Sequence, residues 1–414
     1  MRRKTTLALT TLMLLGLPAH AQKVTLELWA HWGSEQRRPT INKIIDGWNK
    51  RNPNVQVKYT FVPFDQVKTK VLAATAAGNP PDVAVMDIRT TRMRADKKQV
   101  IDLSALGADS LKSRFYANMW ETGTYGGKQY SLPFVTETRF LYYNKAAFKE
   151  VGLDPNKPPT TWKQLEEYAA KLDKKQGNSY ARIGFYPLYG SFGFEGWVNN
   201  AGATMWDERM ENPRIDNATA VKTLEWIQSF AKRYGSRNLA AFQSSFGGGT
   251  QDPFISGRLA MYLDIGGYAA TLAKYAPDMD YGIARIPTPT GKPGPMSSWG
   301  AGFVLELPAG GKHPKEAYAF AKYMATEGAR IWALEQNDFP GDKAAAKAVR
   351  TEAFKKMSDN MRYTYISVAP TYAPDYDSVV KRAIDDAINS GGDAKAALGK
   401  AQEAIARTVA QNRR

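Results

Sequence analysis

Cysteine is absent from the 414 residues, and histidine occurs only three times. Without thiols the chain can form no disulfide, thiolate zinc site, iron–sulfur cluster, cysteine nucleophile or cysteine-borne lipid anchor. Three histidines leave little for an imidazole metal site or a histidine relay, so neither a resident metal nor a cofactor is expected. No apolar run approaches the roughly 20 residues that a membrane-spanning helix needs. Internal repeats and low-complexity tracts are also missing. The single glycine run, Gly247-Gly248-Gly249, lacks both the Lys-Ser/Thr of a phosphate loop and the strand–GxGxxG–helix setting of a dinucleotide site.

What is present is ample apolar material: 43% hydrophobic and 12% aromatic residues, enough for two or three domains with substantial cores. The N-terminus has the layout of an export signal. Arg2, Arg3 and Lys4 precede an apolar stretch from Leu7 to Leu17, and Ala19-His20-Ala21 offers a small-x-small cleavage site. Cleavage after residue 21 would place the protein in the periplasm or outside the cell, soluble and without a lipid anchor. The formal charge of +16, less the three of Arg2, Arg3 and Lys4, is then +13. Export removes nucleic acid as a partner. The remaining surplus is scattered among acids and suits solubility, an anionic envelope or an anionic ligand.

The rest of the chain alternates strands and helices. Val24 to Trp29 alternates apolar and polar residues. Ile41, Ile44, Ile45 and Trp48 recur at helical spacing up to Asn52-Pro53, and Val55, Val57, Tyr59 and Phe61 alternate again. Gln66 to Ala77 reads as a helix capped by Gly78, and Asp82 to Met86 as a short buried strand. This β-α-β-α-β order predicts an α/β layer with a parallel sheet. Later, Thr161 and Gln164 form a capping box for a helix reaching about Lys174. Leu259, Met261 and Leu263, then Phe303, Leu305 and Leu307, mark strands. Helices are expected over 314–326 and around Ala397, Leu398, Ala401 and Ile405.

Catalytic constellations are sparse. His313 lies in Gly-Lys-His-Pro, a turn before a helix, whereas His31 follows the first strand, at the carboxyl end where α/β folds bind ligands. Glu166-Glu167 and Asp375 with Asp377 carry no signature of a paired-carboxylate enzyme. The aromatics say more. Trp29, Trp32, Trp197, Tyr268 and Trp299 stand beside or near glycines, as rings presented to a ligand would. Sugars suit such rings, because C–H faces stack on them while hydroxyls need amides and carboxylates.

Several segments, in order, resemble the extracellular solute-binding proteins of bacterial ABC importers, in the maltose-binding-protein-like group. Trp48 to Val55 ends in Pro53-Asn54-Val55, similar to that family's P-x-V. Gly78-Asn-Pro-Pro-Asp82-Val83 is similar to its G-x-x-P-D-[VI]. Ser131-Leu132-Pro133 and Tyr143-Asn144-Lys145 match its L-P and Y-N-K. Pro158 to Leu165 and Phe254 to Met261 match P-x-T-W-x-x-L and F-x-x-G-x-x-A-M. The resemblance spans residues 24 to about 326.

It implies a two-lobed α/β periplasmic-binding-protein fold, type II-like, in which hinge crossovers join two sheets flanked by helices. One lobe would comprise 22–135 and about 285–335, the other about 136–284 and 336–414. It also implies a monomer that captures a carbohydrate, an oligosaccharide by expectation, between the lobes and delivers it to permease subunits. By alignment Glu137 would meet sugar hydroxyls, and Tyr268 would take the place of a sugar-stacking tryptophan. His31, Trp32, Trp197, Trp299 and Gly300 belong to loops that this architecture turns toward the cleft, and Asp87 and Asp338 also come within reach. The adjacent Tyr142-Tyr143 pair suggests iron in some relatives, but here lies inside a strand. Glycerol phosphate, a polyamine or iron on the same scaffold are the neighbouring ligand readings. A secreted carbohydrate-active enzyme and a binding module that does not transport are the readings from other classes.

Overall fold

The computed structural model describes residues 23–413, so the export segment expected at 1–21 lies outside it. In chain order the principal strands are β1 (Val24–Ala30), β2 (Val55–Phe61), β3 (Val83–Asp87), β4 (Leu132–Thr136), β5 (Arg139–Asn144), β6 (Met261–Ile265), β7 (Tyr281–Ala284), β8 (Ser298–Gly300), β9 (Gly302–Glu306), β10 (Phe339–Pro340) and β11 (Thr364–Ile366). They divide into two lobes.

The first lobe is a six-stranded sheet in the order β10-β4-β9-β3-β1-β2. β1 is parallel to both β2 and β3, as the β-α-β-α-β reading predicts. The other half of the sheet is antiparallel. The reason is topological: the chain leaves the lobe along β4 and returns along β9, so these neighbours run in opposite directions. The helix Arg38–Arg51 buries Ile41, Ile44, Ile45 and Trp48 against this sheet and ends at Asn52, before Pro53. The helix Phe64–Ala76 is followed by Gly78 at φ 73°, a left-handed backbone that glycine adopts without strain. The helix expected over 314–326 is longer and interrupted, with a π-helical turn at Met324–Gly328 joining Pro314–Tyr323 to Ala329–Gln336.

The second lobe is built on the antiparallel sheet β6-β5-β7, with helices around it. Its core holds Trp197, Trp206, Leu224 and Phe230, and takes in Ile286. The last two helices, Tyr376–Ser390 and Ala394–Asn412, supply Val380, Ile384, Leu398 and Ile405 to the same core. β10 and the helix Lys343–Ala348 stay with the first lobe, beyond the change of lobe expected near 335.

The chain passes between lobes at 136–139, at 300–302 and along 349–367. These connections are packed tightly together. Thr138 Oγ1 lies 2.6 Å from Thr364 Oγ1 and 3.1 Å from Ser298 Oγ, and accepts from Asn360 Nδ2 at 2.8 Å. A Cβ on Gly300 would stand 2.7 Å from the Glu137 carbonyl oxygen, so only glycine lets these backbones approach.

Candidate functional site

Among the described residues three hollows lie between the lobes, one of about 710 Å³ between Asn118 and Met296 on the far side of the crossing, and two others that meet at Arg89, Tyr376 and Asp377. The smaller of this pair, about 270 Å³, is lined by His31, Phe64, Asp87 and Phe303 from the first lobe and by Ser367 and Pro374 from the second. The larger, about 690 Å³, is lined by Trp299, Glu195, Ser191 and Phe192 at its inner end and continues into the second lobe. Their combined size and mixed lining are those of a small-molecule cleft.

The carboxyl ends of β1 and β3 position the first wall. His31 follows β1, with its ring centroid 4.3 Å from that of Phe303 and 5.2 Å from that of Phe64. Burial, with help from Arg37, lowers its pKa to about 4, so the imidazole is neutral at physiological pH. Asp87 ends β3. It accepts from the Arg89 backbone N–H at 2.9 Å and from Arg89 Nη2 at 2.9 Å. Burial opposes the Arg89 charge more than any single neighbour supports it, but the hydrogen bond and charge of Asp87, joined by Asp377 and Tyr376, together hold the guanidinium's pKa above its ordinary value.

The opposite wall comes from the helices Gly193–Asn200 and Tyr376–Ser390. Glu195 Oε2 accepts from Tyr376 Oη at 2.6 Å. Burial, and secondarily the nearby Asp377, raise the Glu195 pKa to about 7 even though the tyrosine bond works the other way. Asp264 on β6 is likewise raised to about 6 by burial, while accepting from Ser191 Oγ at 3.0 Å.

Trp299 on β8 joins the two walls. Its Nε1 donates to Ser367 Oγ at 3.1 Å, and its ring lies 4.2 Å from the Arg139 guanidinium and 5.8 Å from that of Arg89. Arg139 is buried behind it, donating to the Trp299 carbonyl at 2.9 Å and to Glu137 Oε1 at 2.8 Å. Its burial lowers its pKa despite that carboxylate.

Of the residues singled out from the sequence, the structure brings His31, Asp87 and Trp299 to the cleft. Glu137 and Gly300 stand behind Trp299, at the lobe crossing. The expectation that the remaining rings belong to open loops is not met. Trp32 is 1% exposed and packs on Trp332 in the first core, with ring centroids 4.2 Å apart and planes tilted by 42°. Asp338 supports that pair, accepting from Trp332 Nε1 at 2.9 Å and pairing with Arg37 at 3.3 Å. Trp197 is fully buried on a helix. Its neighbouring glycines serve packing: Gly196 faces the Phe192 ring, 3.0 Å from where a Cβ would be. Tyr268 begins a helix, is 6% exposed, and donates to Asp252 Oδ1 at 2.5 Å. The Tyr142 and Tyr143 hydroxyls donate to the carbonyls of Ile265 and Pro155. Among the described residues no group of three or more His, Asp or Glu is disposed to hold a metal ion.

Arg89, Glu195, Asp264 and Tyr376 escaped the sequence reading. Glu195 had a signal. Residues two positions apart on an α-helix are separated by about 200° around its axis, so a buried Trp197 sends Glu195 to the opposite face.

Known proteins share this architecture. A family model described as bacterial extracellular solute-binding protein matches residues 32–331. The sn-glycerol-3-phosphate-binding periplasmic protein UgpB of Escherichia coli K12 is 28% identical over 367 residues, which is 82% of this chain and 80% of that protein. The solved structure of CpMnBP1 with mannotriose bound has a TM-score of 0.81 at 28% identity, covering 92% of this chain and 99% of that one. UgpB from Mycobacterium tuberculosis in complex with glycerophosphocholine shares the fold, with a TM-score of 0.75 at 18% identity over 94% of this chain and 98% of that one. Two lobes around a polar, aromatic cleft, with a family match over most of the length, place the chain among the bacterial extracellular solute-binding proteins, to which it belongs.

Proposed function

We propose that the protein captures a carbohydrate between its lobes, closes around it by hinge motion, and hands it to the permease of an ABC importer without altering it. One lobe comprises 24–136 and 302–348, the other 139–300 and 364–412, so ligand contacts drawn from both walls favour closure.

The observation that carries the carbohydrate reading is the charge balance of the cleft. Arg89 is paired with Asp87 and Arg139 with Glu137, so neither guanidinium is left uncompensated for a phosphate, and the exposed Lys68 at the margin of the smaller hollow is offset in charge by Asp65 and Asp377 of the same lining. The raised pKa of Glu195, about 7, leaves that carboxyl partly protonated at neutral pH, which weakens any attraction for a polyamine. A neutral polyol fits such a site. Its C–H faces meet Trp299, Phe64 and Phe303, and its hydroxyls meet the carboxyls and the Arg89 fork.

A glycerophosphate is the second reading, favoured by the 28% identity to the Escherichia coli UgpB protein. A thermal-shift panel of mannose, mannobiose, mannotriose, maltose, maltotriose, glycerol 3-phosphate and glycerophosphocholine decides between them. A ligand present at 100 times its Kd adds about 2.7 kcal/mol to the folded state. Shifts confined to sugars support the carbohydrate; a shift confined to the phosphates overturns it. Recovery of the bound sugar intact after long incubation separates binding from turnover.

A further inference from the structure

The aromatic ring that joins the two walls of the cleft is supported by a buried cation. Trp299 lies on β8, a three-residue strand in a two-stranded ribbon with β11, where it stands opposite Tyr365. So short a ribbon gives an indole little to lean on. The ring packs at the margin of the second core, and its polar edge is held by Ser367 Oγ. A second guanidinium, that of Arg89 at 5.8 Å, belongs to the first lobe and is paired there with Asp87. It moves with that lobe, so it cannot fix the ring while the lobes rotate.

Arg139, the first residue of β5, supplies the missing support from the ring's own lobe. Its guanidinium lies 4.2 Å from the Trp299 ring centroid. Its planar fork donates from Nε to the Ser191 carbonyl, from Nη1 to the Trp299 carbonyl and from Nη2 to Glu137 Oε1. The Arg139 backbone is tied to the same ribbon, because Ser298 Oγ lies 3.0 Å from both its N and its carbonyl oxygen. Arg139 is 5% exposed, and burying a guanidinium is costly. An apolar side chain of similar volume fills such a space as stably or more so. What it lacks is direction, which a rigid fork with several acceptors provides. Glu137 lines neither hollow of the cleft, so the carboxylate that the family resemblance turns toward sugar hydroxyls is engaged by this fork instead.

We propose that Arg139 is a positioning residue for the ligand: it holds the Trp299 indole as a fixed stacking platform through lobe closure, and keeps Glu137 in the support of that ring and out of ligand contact. The proposal rests on the carbohydrate reading above, since the C–H face of a sugar needs a ring already at a set angle. A ring ordered before the ligand arrives removes the cost of ordering it on binding. Arg139 therefore sets affinity for a ligand that it does not touch.

The test combines fluorine NMR of the protein labelled with fluorotryptophan and calorimetry with mannobiose, mannotriose, maltose and maltotriose. The Trp299 resonance is identified by its absence in Trp299→Phe. Without ligand it should be single and narrow in the wild type, and should broaden or split in Arg139→Met. The same variant should lower affinity for the sugar that binds tightest by at least about tenfold, as the lost preorganisation requires. Arg139→Lys keeps the charge but not the fork and should do likewise, which covers the case of the methionine variant failing to fold. In a Trp299→Ala background, adding Arg139→Met or Glu137→Gln should cost less than about threefold further, because the ring they support is gone. A further loss of about tenfold in that background would mean that the added residue meets the ligand itself, and overturns the proposal. An unchanged resonance and affinity in both Arg139 variants overturns it too, while the carbohydrate reading stands. Binding of none of these sugars overturns that reading, and the platform with it.

Discussion

Glu195 and His31 shift in opposite senses, and the signs give separate pH signatures. The folded pKa of Glu195 is raised from 4.5 to about 7, so the native state holds a proton that the unfolded chain gives up. Its stabilising contribution is complete below pH 4.5 and is lost as pH rises through 7. The Tm difference between wild type and Glu195→Gln should therefore fall across pH 4.5–7 and level off on either side. A difference that rises over that window sinks the assignment. His31, lowered from 6.5 to about 4, contributes above pH 6.5 and loses that contribution as pH falls toward 4. Its ring protons should show a neutral imidazole by NMR at pH 5.5. Charge balance yields a further test. Asp87→Asn leaves the Arg89 guanidinium without its carboxylate, so affinity for glycerol 3-phosphate should rise tenfold or more over wild type; no gain would mean the Asp87 pair does not set ligand charge.

At the level of elements, much was legible wherever a local rule governed. Thr161 and Gln164 form the capping box that their spacing announces, with Thr161 Oγ1 accepting from the Gln164 backbone N–H at 3.0 Å. Removing that cap in Thr161→Ala should cost about 1 kcal/mol in denaturant unfolding, and the helix should still form. Legibility failed where orientation depended on a distant partner. The glycines beside Trp197 and Tyr268 suggested open loops, yet both rings turn inward on helices, because the space that receives them is made by chain far away in sequence. Gly300 illustrates the same limit. Its role is the approach of the Glu137 carbonyl and the Thr364 side chain, which sequence spacing does not reveal. In Gly300→Ala a Cβ would meet both within 3 Å, so a loss of about 1–3 kcal/mol is expected from overpacking. A wild-type unfolding midpoint in that variant would show that the crossing has slack.

The whole molecule couples its lobes through a third core, which sequence periodicity could not have shown because it assembles residues from three distant segments. Phe140, Tyr142 and Tyr268 from the second lobe meet Phe339 of β10 and the helix Glu352–Asn360, with Phe354 and Met357 between them. Phe354 is 1% exposed and stacks on Phe339 at 5.2 Å, while Met357 packs so closely on Gly266 that a Cβ there would lie 2.3 Å from its sulfur. Lobes with separate cores and a polar interface would unfold separately. Here the apolar pivot gives each lobe part of its burial through the other, so calorimetry of the wild type should show a single transition, and a cleft ligand should raise it as one. Phe354→Ala removes the ring at the centre of the pivot, at a cost of about 3–5 kcal/mol. That loss falls on the coupling more than on either lobe's own core, so the variant's transition should broaden or split in two. Two transitions in the wild type would show that the pivot does not couple the lobes. A single, merely lowered transition in the variant would place the coupling instead in the hydrogen-bonded crossing of Thr138, Ser298, Asn360 and Thr364.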